Sequence, residues 1–218
     1  MIQAGGERVA GFVLAGGESR RMGRDKALIE FAGELLVIRA LKILREAGLD
    51  PRIAGSRGGL EEFAPVIADA EPGRGPLGGI CAALAACNEQ RAVFMPVDLP
   101  LLPASLVTLM VRRAQITGTA VTVSSVSGFA QTFPAVVDRA ALPGLQDALK
   151  RDAGGCYAAF QSAAAGLGQR VAVVATEYLA QAGQVIHPDG LPPALWFLNV
   201  NSPAELRRIE ALSFRPVA

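Results

Sequence analysis

The residues most able to do chemistry sit in Leu14-Ala15-Gly16-Gly17-Glu18-Ser19-Arg20-Arg21-Met22-Gly23-Arg24-Asp25-Lys26. Adjacent glycines let a backbone turn sharply and approach a ligand closely. Unpaired N–H groups in such a turn make a cradle for anions. Arg20, Arg21, Arg24 and Lys26 add positive charge to the same loop. The combination suits a polyphosphate, with Arg21 and Lys26 neutralising charge on the phosphates and on a departing pyrophosphate. The same composition also describes a solvated basic surface loop. Two carboxylates join this reading. Asp98 follows the apolar run Ala92–Val97 and suits a hard cation such as Mg²⁺, which takes one or two carboxylates plus phosphate oxygens. Its other reading is a turn starter before Pro100. Asp69 ends a shorter apolar run and can meet a base, a ribose or the metal shell; its other reading is a cap. Asn199 and Asn201 are site candidates or ordinary turn formers.

These residues need a frame that brings them together. Val9 to Ala15 has the length and composition of a buried strand and leads straight into the basic loop. Lys26 to Glu34 reads as a short extended segment closing on a glycine turn. Leu36 to Ala47 is predicted helical, with Val37, Ala40, Leu41 and Leu44 on one face and Gly48 as its C-terminal stop. Short strands follow at Arg52–Ala54 and Pro65–Ala68. A second glycine-rich loop, from Glu71 to Ile80, opens a helix over about Leu77 to Asn88. The N–H groups at its start face an anion in this reading. Ala92–Val97 is a further buried strand, and Pro103 starts a helix reaching about Gln115. Strands are expected at Ala120–Ser125, Thr132–Val137 and Arg170–Ala175, with Ser127–Gln131 as a loop or crossing segment. Helices are expected at Leu142–Lys150 and Tyr157–Ala164. Glu177 to Pro193 has no clear pattern. Ser202-Pro203-Ala204-Glu205 is a capping box that opens a last helix. Strands alternating with helices predict an α/β fold with a mostly parallel sheet covered on both faces. A carboxylate at the C-terminal end of such a strand lies where open α/β sheets place their ligands.

The chain has 218 residues, 51% of them hydrophobic, which predicts one domain over 1–218. Net charge is +1, so there is no global electrostatic case for nucleic acid or an anionic membrane. The longest apolar runs fall far short of the roughly 20 residues of a membrane span, and Met1 to Arg8 has no signal-peptide apolar region. A cytoplasmic protein is expected. Cys81, Cys87 and Cys156 form no metal-binding spacing and read as core or inert thiols. His187 is the single histidine, which excludes a multi-histidine metal site; it reads as a surface or loop residue. The loop is neither a dinucleotide fingerprint nor a Walker A loop, because Gly16 and Gly17 are adjacent and Gly23 is followed by Arg24-Asp25-Lys26-Ala27.

Taken together, Leu14 to Lys26 closely resembles the signature LAGGxSxRMGxDK of nucleotidyltransferases, especially the MobA-like molybdenum-cofactor guanylyltransferases. Gly75-Pro76-Leu77-Gly78-Gly79-Ile80 resembles the GPLxGI segment of that family, and Val97-Asp98-Leu99-Pro100 its strand-end aspartate. Asn199-Val200-Asn201-Ser202-Pro203-Ala204-Glu205-Leu206 resembles its NxNTPEEL segment, and Gln131–Val136 is a looser match to a segment facing the acceptor. The resemblance implies a Rossmann-like three-layer sandwich of the nucleotide-diphospho-sugar transferase type. It also implies a nucleotide-binding half of about 8–117 and an acceptor-binding half of about 118–212. The implied reaction is transfer of GMP from Mg·GTP to molybdopterin-bound molybdenum cofactor, releasing pyrophosphate and forming the guanine dinucleotide cofactor. By the same resemblance Leu14, Ala15, Gly16, Gly17 and Gly75 contact the nucleotide and Lys26 its phosphates. Asp69 is then a nucleotide contact, Asp98 the Mg²⁺ ligand, and Asn199 and Asn201 line the acceptor side. Molybdoenzyme-maturation proteins would be its partners.

Two features depart from that pattern. The family often carries an asparagine near the end of the second strand, where this chain has Ala54-Gly55-Ser56. Gly166 to Leu195 looks longer than usual. Alternatives are a cytidylyltransferase for molybdopterin, a sugar- or polyol-phosphate nucleotidyltransferase, and a non-catalytic nucleotide-binding adaptor. Retention of Lys26 and Asp98 argues against the last.

Overall fold

The computed structural model describes residues 7–15, 25–56, 59–69, 73–152 and 154–213. In chain order its elements are β1 (Val9–Leu14), β2 (Glu30–Phe31), β3 (Glu34–Leu35), α1 (Leu36–Glu46), β4 (Pro51–Ser56), β5 (Val66–Ala68), α2 (Gly75–Ala86) and β6 (Arg91–Pro96). Then come α3 (Ala104–Thr117), β7 (Val121–Val126), β8 (Phe129–Asp138), α4 (Leu142–Lys150), α5 (Cys156–Gly166), β9 (Ala172–Ala175), α6 (Thr176–Gln181), α7 (Pro193–Trp196) and α8 (Pro203–Ser213). Among the described residues no helix is long and apolar enough to cross a membrane.

Seven strands form one sheet in the order β5-β4-β1-β6-β8-β7-β9. β1 pairs in parallel with β4 and β6, β4 with β5, and β7 with β9, while β8 runs antiparallel between β6 and β7. Alternation along each strand explains the layers. In β1, Val13 faces one core; Ala10, Phe12 and Leu14 face the other. In β6, Val93 and Met95 face the first, and Ala92 and Phe94 the second. The first core is closed by Leu36, Leu41 and Leu44 of α1, Leu106 and Met110 of α3, and Trp196. The second is closed by Ile80 and Leu84 of α2, Leu145 of α4 and Phe160 of α5. The fold is therefore an α/β three-layer sandwich. Each fully buried Leu, Ile or Phe contributes about 1.5–3 kcal/mol relative to exposure.

Local chemistry sets the element ends. After α1, Gly48 adopts φ 82°, donates to Arg45 O at 2.9 Å, and Leu49 N–H reaches Leu44 O at 3.1 Å. This is a Schellman stop, and it needs a residue at ease with positive φ. At α8, Glu205 N–H donates to Ser202 Oγ at 3.2 Å, the expected capping interaction.

Four readings of the sequence change. Pro103 is the N-cap of α3, one residue before the first helical position. Within Ser127–Gln131 only Ser127-Gly128 is a turn; Phe129 already begins a ten-residue strand, earlier than Thr132. Lys26–Glu34 is a 3-10 turn over Lys26–Leu28 followed by the small β2–β3 hairpin. His187 is in a loop but buried, not on the surface. Its Nδ1 accepts from Asp189 N–H at 3.0 Å, which leaves Nε2 to donate to Leu101 O at 3.0 Å, and the ring stacks on Trp196. Burial pushes its pKa below the usual imidazole value, in keeping with this neutral ring.

Candidate active site

The sheet order places a crevice before any side chain is considered. From β1 the chain adds β4 and then β5 on one side, and returns to add β6 on the other. At such a switch point the connections leave the C-terminal strand ends in opposite directions and open a ligand crevice between them. Here the crevice lies beyond Leu14 of β1 and Pro96 of β6. Ala15 N–H donates to Ala54 O at 3.1 Å and Val97 N–H to Leu14 O at 3.1 Å, so the ladders run right up to this edge. The glycine-rich run between Ala15 and Asp25 starts there; Gly16, Gly17 and Arg21 lie outside the described residues.

Lys26, Asp98 and Asn201 meet at the same edge. Lys26 Nζ donates to Asp98 Oδ2 at 2.9 Å and to Asn201 Oδ1 at 2.5 Å. Both the lysine and the aspartate keep limited solvent access, 22% and 16%. Each partner is held by its own backbone. Asp25 Oδ1 accepts from Ala27 N–H at 2.9 Å and fixes the turn that carries Lys26. Val200 N–H donates to Asp98 O at 3.0 Å and docks the Asn199–Asn201 segment on the end of β6. Glu205 Oε2 accepts from Asn201 N–H at 2.9 Å. Asn199 does not join the cluster: its Nδ2 donates to Phe197 O at 3.4 Å.

Asp69 lies past the end of β5 on the other flank of β1. Its Oδ1 is buried and has no hydrogen-bond partner among the described residues. Burial raises its carboxyl pKa above the usual value. An orphaned carboxylate oxygen of this kind calls for an outside donor. A Cβ on Gly79 would lie 3.2 Å from Asp69 Oδ1 and 3.4 Å from Gly55 Cα, so the glycine lets α2 pack close to the carboxylate where a larger residue would crowd it. Gly75, with φ 64°, is the first residue of α2.

Reading the sequence singled out Lys26, Asp69, Asp98 and Asn201, but not Gly79 as a neighbour of Asp69 or Glu205 as the group holding Asn201 in place. The Gly78-Gly79 pair inside a helix was the available signal for the first. Cys81 and Cys156 are free thiols pushed up to about 11, chiefly by burial, and Cys87 is also free and buried. They are inert by this measure.

Among known proteins, a probable molybdenum cofactor guanylyltransferase from Opitutus terrae is 41% identical over 112 residues, 48% of this chain and 54% of that protein. The chain spans about half the length of the first curated relatives it matches. The molybdopterin-guanine dinucleotide biosynthesis protein A from Archaeoglobus fulgidus superposes with a TM-score of 0.73, covering 93% of this chain and 97% of that one at 19% identity. The 2-C-methyl-D-erythritol 4-phosphate cytidylyltransferase from Thermus thermophilus gives a TM-score of 0.65, covering 94% and 98% at 18% identity. At these identities both structures speak for the fold alone. The family model of the MobA-like NTP transferase domain matches residues 11–165, and with that match over most of its length the chain belongs to this family.

Proposed function

We propose that the protein transfers GMP from GTP to the terminal phosphate of molybdopterin-bound molybdenum cofactor, forming the guanine dinucleotide cofactor and pyrophosphate. The meeting of Lys26, Asp98 and Asn201 at the switch point carries this reading. It supplies a mobile cation for phosphate oxygens, a carboxylate for a metal, and an amide on the acceptor side.

Mg²⁺ fits these residues. Asp98 is a hard oxygen donor at the sheet edge, and no cluster of three His, Cys, Asp or Glu capable of caging a metal occurs among the described residues. Mg²⁺ sites in phosphoryl enzymes are often built this way, from one or two carboxylates completed by phosphate oxygens. When bound, the ion neutralises charge on the reacting phosphates.

The chain's own residues do the rest. Leu14, Ala15 and Gly75 hold the nucleotide at the crevice edge, and Gly16 and Gly17 are its contacts by family resemblance. Lys26 and Arg21 stabilise charge that grows on the β- and γ-phosphates as the α–β bridging bond breaks. An oxygen of the acceptor phosphate attacks the α-phosphorus in line; it is already anionic, so no general base is needed, and positioning carries the catalysis. Asp69 takes the base. Guanine offers two adjacent donors, N1–H and the 2-amino group, to one carboxylate, whereas cytosine offers only its 4-amino group. The unpartnered Oδ1 is the acceptor that such a base donor would meet. Residues of about 8–117 form the nucleotide half in this reading and about 118–212 the acceptor half, with Asn199 and Asn201 at their junction. A thermal-shift comparison of GTP, CTP, ATP and UTP with Mg²⁺ tests it, since a ligand of the folded state raises apparent stability. GTP is expected to give the largest rise; a larger rise with CTP contradicts the base assignment.

A further inference from the structure

The ammonium of Lys26 uses two of its three donors on oxygens from two distant parts of the chain, Asp98 Oδ2 and Asn201 Oδ1. Asn201 carries no charge and is itself held from two sides, by the Val200–Asp98 backbone bond and by Glu205. Its backbone is therefore fixed beside Asp98, within reach for its amide oxygen to accept from Lys26. A lysine stem is flexible and its ammonium is a compact point charge that swings between partners. A second acceptor beside Asp98 adds to the ion pair in confining it there.

We propose that Asn201 is a positioning residue that parks Lys26 on Asp98, so that Lys26 and a divalent cation are alternative occupants of the same carboxylate oxygen. This rests on reading Asp98 as the metal-binding carboxylate. A cation reaching Asp98 Oδ2 alone must displace an ammonium that Asn201 Oδ1 also holds in place. A polyphosphate offers that ammonium several anionic oxygens and draws it off. Cation and nucleotide thus enter together, and the protein holds a bare cation weakly. The arrangement gives Asn201 a role distinct from metal ligation, and the two roles predict opposite signs.

The test is a Mn²⁺ titration of the nucleotide-free full chain, read by the EPR signal of free Mn²⁺, for the unaltered protein, Asn201→Ala, Lys26→Gln and Asp98→Asn. Circular dichroism checks each fold. Freeing Asp98 from a partly exposed ion pair is expected to tighten Mn²⁺ binding about fivefold in Asn201→Ala and in Lys26→Gln. Asp98→Asn is expected to bind more weakly than all of these. Asn201→Ala changes no charge, so it carries the sign test by itself if Lys26→Gln does not fold. Weaker or unchanged Mn²⁺ binding in Asn201→Ala, with Asp98→Asn still weakened, overturns the parking role and leaves the metal reading standing. Undiminished binding in Asp98→Asn overturns both.

Discussion

Lys26 and Asp98, 72 positions apart in the chain, are joined by a 2.9 Å bond between ammonium and carboxylate at the C-terminal edge of the sheet. The pair stands at the point where the strand order reverses, between β1 and β6. An ion pair that keeps some solvent access contributes about 1 kcal/mol to stability. In the proposed function its placement at the switch point serves a bound nucleotide.

Lys26→Ala therefore separates activity from folding. Turnover should fall at least about tenfold, or about 1.4 kcal/mol of barrier, while the far-ultraviolet circular dichroism is unchanged. Asp98→Ala should abolish Mg²⁺-dependent turnover with the same intact fold. Steady-state pyrophosphate release measures both, and full activity in either variant removes that residue from the mechanism.

Asp69 gives a pH signature. Its folded pKa lies above the ordinary value because burial disfavours the ionised form. Such a group contributes stability below its unfolded pKa and loses it as pH rises through the folded pKa. At pH 7 the ionised carboxylate is a liability to the unliganded fold. Asp69→Asn should melt higher than the unaltered protein at pH 7, and the difference should vanish as pH falls below 3.8. The GTP-induced rise in melting temperature should shrink in the same variant. A lower melting point at pH 7 would contradict the assignment of burial as the dominant effect.

Gly79→Ala adds a methyl group 3.2 Å from Asp69 Oδ1. Alanine gains up to about 1 kcal/mol of helix propensity over glycine, and crowding the carboxylate opposes that gain. The unliganded melting point should change little, while GTP affinity falls because Asp69 is displaced. Calorimetric titration with GTP checks this; equal affinity would mean that Asp69 does not meet the nucleotide.

Stability away from the site rests partly on Arg91. It is buried between Glu7, at 2.5 Å, and Asp138, at 3.0 Å, and Gln90 donates to the same Asp138 carboxylate at 2.6 Å. Removing the guanidinium leaves a buried carboxylate short of its partner. Arg91→Ala should cost about 2 kcal/mol, discounted for the partly exposed Glu7. Urea unfolding at unchanged slope measures it; a loss near zero would mean that the cluster is solvated.

The first half of the fold was legible because its strands are short buried apolar runs and its helices carry their own stops, as Gly48 does after α1. β8 was read short for a physical reason. Its first residues, Phe129 and Ala130, are exposed and pair only with β7, beyond the last β6 partner at Ala135, so they carry no burial pattern. His187 misled because a Pro-Gly-rich neighbourhood usually lies at the surface, whereas Trp196 and Leu101 O shelter this ring. Of the site, Lys26 and Asp98 could be named from residue type and strand position. Asn201 is a site candidate by residue type, but its 175-residue reach to Lys26 has no local signal. The orphaned Oδ1 of Asp69 is a property of packing alone.

Pyrophosphate release in the presence of molybdopterin-bound molybdenum cofactor, measured with each nucleoside triphosphate in turn and Mg²⁺, tests guanylyl transfer most directly. The account predicts acceptor-dependent release with GTP well above that with CTP, ATP or UTP. Preference for CTP, or release that does not depend on the acceptor, would contradict it.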